Sequence, residues 1–332
     1  MPAEYGPHAG CWMAWPCNEQ VFAGRLEAAR AAYARVAVAV SEFEPVVMLA
    51  DPRDAAEAAR RCGDGVKVLP LDLDDSWTRD TGPTFVVDGR GRVAGVDWRF
   101  NGWGGVWPDC GKDARLAEAV LEHLGMRRYQ ADFVLEGGAI HVDGEGTLLA
   151  VAPCLLDPKR NPGLTLAELE GLLTEYLGVT RFIWLAHGLE NDETAGHVDN
   201  VACFARPGVV LLNTVSDPAD GNYEGMKENA ARLRGSRDAR GRDLEVIGIE
   251  QPSRREGKEG RMALSHINFY LPNGGVVVPG FDDPSDGPAL EAFRRVFPDR
   301  RVARVLVLDV LWGGGGIHCI TQQQPAGQPA RP

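Results

Sequence analysis

The residues of this 332-residue chain that could do chemistry centre on one thiol. Cys319 lies just beyond four consecutive glycines, in the run Gly313, Gly314, Gly315, Gly316, Ile317, His318, Cys319. Glycines add no bulk, so backbone there can approach a bound group closely, and Ile317 and Ile320 predict a short buried strand over 317–321 that holds the thiol. A thiol beside an imidazole is a nucleophile with a proton shuttle, because the thiolate attacks and an ordinary cysteine is mostly protonated at neutral pH. His197 is the best-placed imidazole. It stands in Glu193-Thr194-Ala195-Gly196-His197-Val198-Asp199-Asn200, and two more acidic sites, Asp80 in the run 75–83 and Glu136 before Gly137-Gly138, stand in comparable settings.

A cysteine–histidine pair alone also fits a papain-like protease. The extra carboxylates do not, since an amide is neutral and negative charge at its carbonyl opposes the oxyanion that must form. They suit a planar cation: a guanidinium presents its donors as a fork that Asp80 and Asp199 could clamp from two sides. His197 and Asp199 are two residues apart, which in a strand puts them on one face. The same alternation turns His318 away from Cys319, so His318 is read with His8, His123, His141, His187 and His266 as a packed or surface histidine. Trp77 and Trp103, the latter among the glycines of 101–105, fit either the walls of a cation site or the core and a turn. Cys11, Cys17, Cys62, Cys110, Cys154 and Cys203 are read as structural.

The elements that must position these groups recur. Helical periodicity over 25–42 leads into an apolar strand at 46–49, and four further helix-to-strand pairs follow: 113–124 with 133–135, 165–177 with 181–185, 223–233 with 244–249, and 288–297 with 302–308. From the second helix onward, each is preceded by two short strands joined at a Gly or Asp turn: 84–87 with 93–98, 139–142 with 147–151, 198–204 with 209–212, and 267–271 with 276–278. The repeat is strand, strand, helix, strand. The first helix has only 11–15 before it, and the strand it lacks is supplied if 317–321 returns from the C-terminus, closing a ring of five units. The polar runs then enter the units at equivalent positions and face one axis. A doubly wound open sheet is the alternative α/β architecture, though hairpins before every helix are awkward for it. One catalytic domain over 1–324 and a disordered tail over 325–332 are expected.

Composition excludes other classes. A net charge of −12 opposes a phosphate backbone, so nucleic acid is not an expected partner, and no window is apolar enough to span a membrane. The N-terminus lacks a basic start and an apolar core, which predicts a cytoplasmic protein. Seven cysteines without any CxxC predict reduced thiols rather than a disulfide framework or a thiolate metal site, and covalent thiol chemistry needs no cofactor.

Five blocks carry a family resemblance: MPAEYGPHAGCWMAWP at 1–16, SWTRDTGP at 76–83, LEGGAIHVDGEGTLL at 135–149, NDETAGHVDN at 191–200 and GGGGIHCITQQQP at 313–325. With these the chain resembles the agmatine deiminases, in the family that includes the bacterial type of peptidylarginine deiminase. The resemblance implies a pentein α/β-propeller, five ββαβ units about a pseudo-fivefold axis. It implies Cys319 as covalent nucleophile, His197 as general acid and base, Asp80 and Asp199 as guanidinium ligands, and Glu136 as support for His197. It places Glu193 near the substrate's amine, where Asp192 and Glu193 could otherwise cap a turn. The activity implied is hydrolysis of agmatine to N-carbamoylputrescine and ammonia, in putrescine and polyamine biosynthesis, by a protein that is often a homo-oligomer. Deimination of free or peptidyl arginine, amidino transfer, and guanidine binding without turnover are the competing readings. Ala195, Gly316 and His266 depart from the residues usual in the family.

Overall fold

The computed structural model describes residues 1–331. Its strands are β1 His8–Ala14, β2 Val46–Ala50, β3 Val66–Pro70, β4 Thr84–Val87, β5 Arg92–Arg99, β6 Arg128–Val134, β7 Ile140–Val142, β8 Thr147–Val151 and β9 Arg181–Leu185. They continue as β10 Ala202–Arg206, β11 Val209–Thr214, β12 Glu245–Glu250, β13 Glu256–Gly257, β14 Gly260–Arg261, β15 Gly275–Gly280, β16 Arg301–Leu306, β17 Gln322–Pro325 and β18 Gln328–Pro329. One pairing scheme recurs: an antiparallel pair, then a parallel partner reached through a helix. It joins β17, β1 and β2 around the helix Leu26–Ser41; β4, β5 and β6 around Leu116–Leu124; β7, β8 and β9 around Leu166–Leu177; and β10, β11 and β12 around Tyr223–Arg234. In a fifth sheet a single bridge, Tyr270 to Val277, stands for the antiparallel pair, and β15 runs parallel to β16 across Asp286–Val296, while β13 and β14 form a separate antiparallel pair. No helix among the described residues is long and apolar enough to cross a membrane.

Local sequence explains the elements. The helix Leu166–Leu177 starts at a capping box, in which Thr165 Oγ1 accepts from the Glu168 amide and Glu168 accepts from the Thr165 amide at 2.9 Å; Gly178, at φ 68°, ends it. Leu169, Leu173 and Leu177 bury the stripe that faces the sheet. The first sheet is larger than its sequence pattern predicts. The polar helix Ala55–Cys62 and β3 add a parallel strand beside β2.

Several expected strands are shorter, and the displaced residues form turns. The strand expected over 317–321 is a tight turn, His318–Ile320, and the strand that returns to β1 is β17, pairing Trp12 with Gln322 and Cys11 with Gln323. Glutamines can take this place because their amides find partners: Gln324 accepts from the Trp12 indole at 2.9 Å and Gln322 donates to the Pro83 carbonyl at 2.7 Å. Likewise 198–200 and 137–139 are turns before β10 and β7. The tail expected to be disordered is ordered as far as residue 331. β18 pairs in parallel with β5, and the Ala330 amide and carbonyl bond Val93 and Arg127, so backbone hydrogen bonds replace the apolar side chains this segment lacks. Position 332 of that expected tail lies outside the described residues.

Candidate active site

Equivalent turns carry the polar side chains. The short turn Thr78–Thr81 before β4 carries Asp80; Gly137–Ala139, preceded by Glu136, leads into β7; Val198–Asn200, preceded by His197, leads to β10; and His318–Ile320 before β17 carries Cys319. The spacing of His197 and Asp199 predicts a shared strand face, but the two lie at a turn rather than in a strand. A single 3₁₀ turn aims both inward.

The convergence is tight. A methyl group placed on Gly138 would fall 2.6 Å from His197 Nδ1, 2.9 Å from Asp80 Oδ1 and 3.0 Å from Asp199 Oδ2, so these three groups face one point beside a backbone that only glycine leaves open. His197 Nδ1 lies 3.7 Å from Asp80 Oδ1, and its Nε2 lies 3.6 Å from Glu136 Oε2. Cys319 Sγ is 3.7 Å from Asp199 Oδ2. All five predicted catalytic residues are thus brought together, and each is buried.

Neighbours fix each group. Asp80 accepts from the Gly138 amide at 2.9 Å and from the Trp103 indole at 2.8 Å, so Trp103 meets the site through its N–H. Glu136 takes the Nε of Arg160 on both oxygens at 2.9 Å, and Arg160 also donates to the Thr194 carbonyl at 2.8 Å. Trp77 lies behind the glycines, stacked on Phe22 and bonded to Asp75 at 2.7 Å. A methyl at Gly315 would meet the Trp77 ring at 2.5 Å and Cys319 Cβ at 2.9 Å. Glu193 is half-buried opposite Gly314, in a cleft that Lys258 and Trp312 also line.

Electrostatics assign the protons. Burial opposes charge on His197, but Asp80, Glu136 and Asp199 outweigh it and hold the imidazole up to about 9. Burial pushes Cys319 well above the usual thiol range, and Asp199 and Asp80 add to the rise, so the resting pair is thiol and imidazolium. Against the cost of burial, His197 and Arg160 hold Glu136 low, and His318 and His197 hold Asp199 low. Burial, with Asp199 and Glu136 nearby, raises Asp80 despite His197. Asp199 Oδ1 is buried without a hydrogen-bond partner, and His197 Nε2 has Glu136 Oε2 beyond hydrogen-bond distance at 3.6 Å.

Sequence reasoning missed four contributors. Asn268 donates to Cys319 Sγ at 3.2 Å and to Asn200 at 3.0 Å while its oxygen accepts from the His318 amide at 2.8 Å, which fixes the amide's orientation. It belongs to the turn after Ser265-His266, where the repeat calls for a fifth contribution. Gly316 leaves room for it, since a methyl there would fall 2.4 Å from Asn268 Oδ1. His318 is a member of the cluster rather than a packed bystander: its Nδ1 meets Asp199 and its Nε2 meets Glu4, each at 2.8 Å. Glu4 and Arg160 carry no local sequence signal.

The family described as Porphyromonas-type peptidyl-arginine deiminase matches residues 1–325. The chain belongs to that family. Among its relatives in this deiminase family, the agmatine deiminase of Pseudomonas aeruginosa strain UCBPP-PA14 is 45% identical over 354 residues, covering 99% of this chain and 96% of the relative. A solved agmatine deiminase of Enterococcus faecalis is 36% identical with a TM-score of 0.95, over 98% of this chain and 95% of that one. A DDAH structure from Pseudomonas aeruginosa, 12% identical with a TM-score of 0.55 over 96% of this chain and 99% of that one, shares the α/β fold.

Proposed function

We propose that this protein hydrolyses agmatine to N-carbamoylputrescine and ammonia through a covalent intermediate on Cys319. The observation that carries the reading is the convergence of the Asp80 and Asp199 carboxylates and the His197 imidazole on one point beside Cys319 and Gly138. Its relatives' names supply the substrate class, and the clamp suits a guanidinium.

The resting site holds a neutral thiol. A guanidinium entering between Asp80 and Asp199 brings one positive charge to within reach of Sγ, which favours loss of the thiol proton to solvent. The thiolate adds to the guanidinium carbon; the His197 imidazolium protonates the departing nitrogen, and ammonia leaves an amidino-thioether. Neutral His197 then takes a proton from water, hydroxide adds to the same carbon, and collapse breaks the C–S bond to release the ureido product. Glu136, held by Arg160, keeps the imidazole oriented and favours its protonated form. Asn268 steadies the sulfur. These steps use only side chains and water.

Glu193 favours agmatine over arginine, because the far end of agmatine bears an ammonium without a carboxylate. Lys258 lines the same cleft, but it is turned to the Val21 carbonyl at 2.8 Å. We further propose that the five recurrent strand arrangements form a pentein propeller of ββαβ units about one axis, acting as a single catalytic domain. An ammonia-release assay across agmatine, arginine and an arginyl peptide tests the reading. Release from agmatine alone is expected, and release from arginine alone would overturn it.

A further inference from the structure

His318 is buried with each ring nitrogen 2.8 Å from a carboxylate oxygen, Asp199 Oδ2 on one side and Glu4 Oε2 on the other. An ionised carboxylate only accepts, so both ring nitrogens carry hydrogen and the ring is an imidazolium. Glu4 is itself pinned by the Leu271 amide at 2.9 Å and by Arg79 at 3.4 Å, and Arg79 also donates to the His318 carbonyl at 3.2 Å. His141 packs beside His318 with ring centroids 6.2 Å apart; burial lowers it to about 4, so it adds no charge at neutral pH.

The buried charges then balance. Glu4 and Asp199 face Arg79 and His318; Asp80 and Glu136 face His197 and Arg160. Wherever the proton shared by Asp80 and His197 resides, that pair is neutral overall. Cys319 Sγ, 3.7 Å from Asp199 Oδ2, sits at the edge of a cluster with no net charge, and a substrate cation plus a thiolate keeps it so.

We propose that His318 is a positioning residue for the deimination: it acts through Asp199, fixing Oδ2, leaving Oδ1 as a free acceptor, and offsetting Asp199 so that Cys319 can ionise. The inference rests on the function proposed above for its kinetic readout but not for its chemical one. Removing the imidazolium leaves Asp199 less compensated beside the sulfur, which disfavours the thiolate. A glutamine there keeps an N–H donor for Asp199 Oδ2 while removing the charge, so both clamp carboxylates stay in place and substrate binding does not weaken.

The test is the pH dependence of iodoacetamide alkylation of Cys319 in substrate-free protein, read by mass spectrometry of its peptide, together with kcat and KM on agmatine. For His318→Gln the alkylation midpoint rises by about one pH unit or more, equal to about tenfold slower alkylation at fixed pH; kcat falls by about tenfold or more, and KM does not rise. An unmoved midpoint, or kcat and KM worsening together, overturns the proposal. Glu4→Gln, which weakens the hold on the imidazolium proton, moves the alkaline fall of kcat to lower pH; a profile superimposable on wild type overturns it as well. If His318→Gln does not fold, ring-¹⁵N histidine NMR of the wild-type protein decides. A doubly protonated ring besides His197, persisting above the ordinary histidine range, supports the proposal, and its absence overturns it. Wild-type protein that releases no ammonia from agmatine would sink the proposed function while leaving the alkylation result to judge His318 by itself.

Discussion

Gly138→Ala is the sharpest perturbation available, because it adds one methyl group at the point where the site converges. The new carbon would lie 2.6 Å from His197 Nδ1, 2.9 Å from Asp80 Oδ1 and 3.0 Å from Asp199 Oδ2, against an ordinary van der Waals separation of about 3.5 Å. The three polar groups must retreat by roughly half an ångström to an ångström each, and the space a guanidinium would occupy between them closes. Misplacement on that scale costs about 10²-fold in rate, so kcat/KM for agmatine is expected to fall by about 10² or more. Folding is less affected, since the backbone at Gly138 does not need a positive φ and the displaced side chains can rearrange. Ammonia release measures the loss, and thermal unfolding separates it from collapse of the fold. Gly171→Ala is the control: it lies within the helix Leu166–Leu177 with nothing within 4 Å of the added methyl, so it should keep full activity and gain up to about 1 kcal/mol of stability. Gly138→Ala enzyme with kcat/KM within threefold of wild type would refute the convergence of Asp80, Asp199 and His197 on the guanidinium.

Other expected outcomes follow from the same geometry. Cys319→Ala should end turnover yet still bind agmatine by calorimetry, since both clamp carboxylates remain. His197→Ala should lose about 10²–10⁴-fold in kcat. In the wild-type enzyme, kcat/KM should rise with pH, because attack requires loss of the Cys319 proton, and level off near 9, where the His197 imidazolium that protonates the departing nitrogen begins to be lost. Because the folded His197 is raised above its ordinary 6.5, its contribution to stability is complete below that pH and is lost as pH climbs through about 9, which thermal unfolding across that window checks. Arg160→Met leaves the fully buried Glu136 without the guanidinium whose Nε both its oxygens share, and should cost about 3–5 kcal/mol in denaturant unfolding. Glu193→Gln should raise KM for agmatine about 5- to 30-fold, a worth of about 1–2 kcal/mol for a half-buried charge, and leave an alkylguanidine without an amine nearly unchanged; equal losses on both would make Glu193 a shaping residue.

The sequence by itself determined which side chains offer thiol, imidazole and carboxylate chemistry and the rhythm of the elements that bring them together. His197, Asp80, Asp199 and Glu136 stand out because each lies in a polar or glycine run that enters a repeat unit, and Cys319 because it follows four glycines at the entry to the wrap-around strand; an element type repeated along a chain forces equivalent positions to comparable places. The helices were legible for the same reason: their apolar stripes and caps are local, as in Thr165, Glu168 and Gly178.

Tertiary structure decided what those local rules could not. Apolar residues predict a strand through Cys319 and through Asp199, yet both are in turns; Ile317 and Ile320 are buried there, and only the pairing of β17 with β1 fixes where the strand begins. Residues held by distant partners were silent. Glu4 reaches His318 across 314 positions and Asn268 reaches Cys319 across 51, so no window of sequence contains either contact. The tail's composition predicts disorder because its partner strand, β5, lies far upstream, and backbone hydrogen bonds to a sheet edge leave no mark on side-chain composition. His318 shows the limit most clearly. Strand alternation turns it away from the thiol, whereas a 3₁₀ turn and two carboxylates 119 and 314 positions upstream make it part of the cluster.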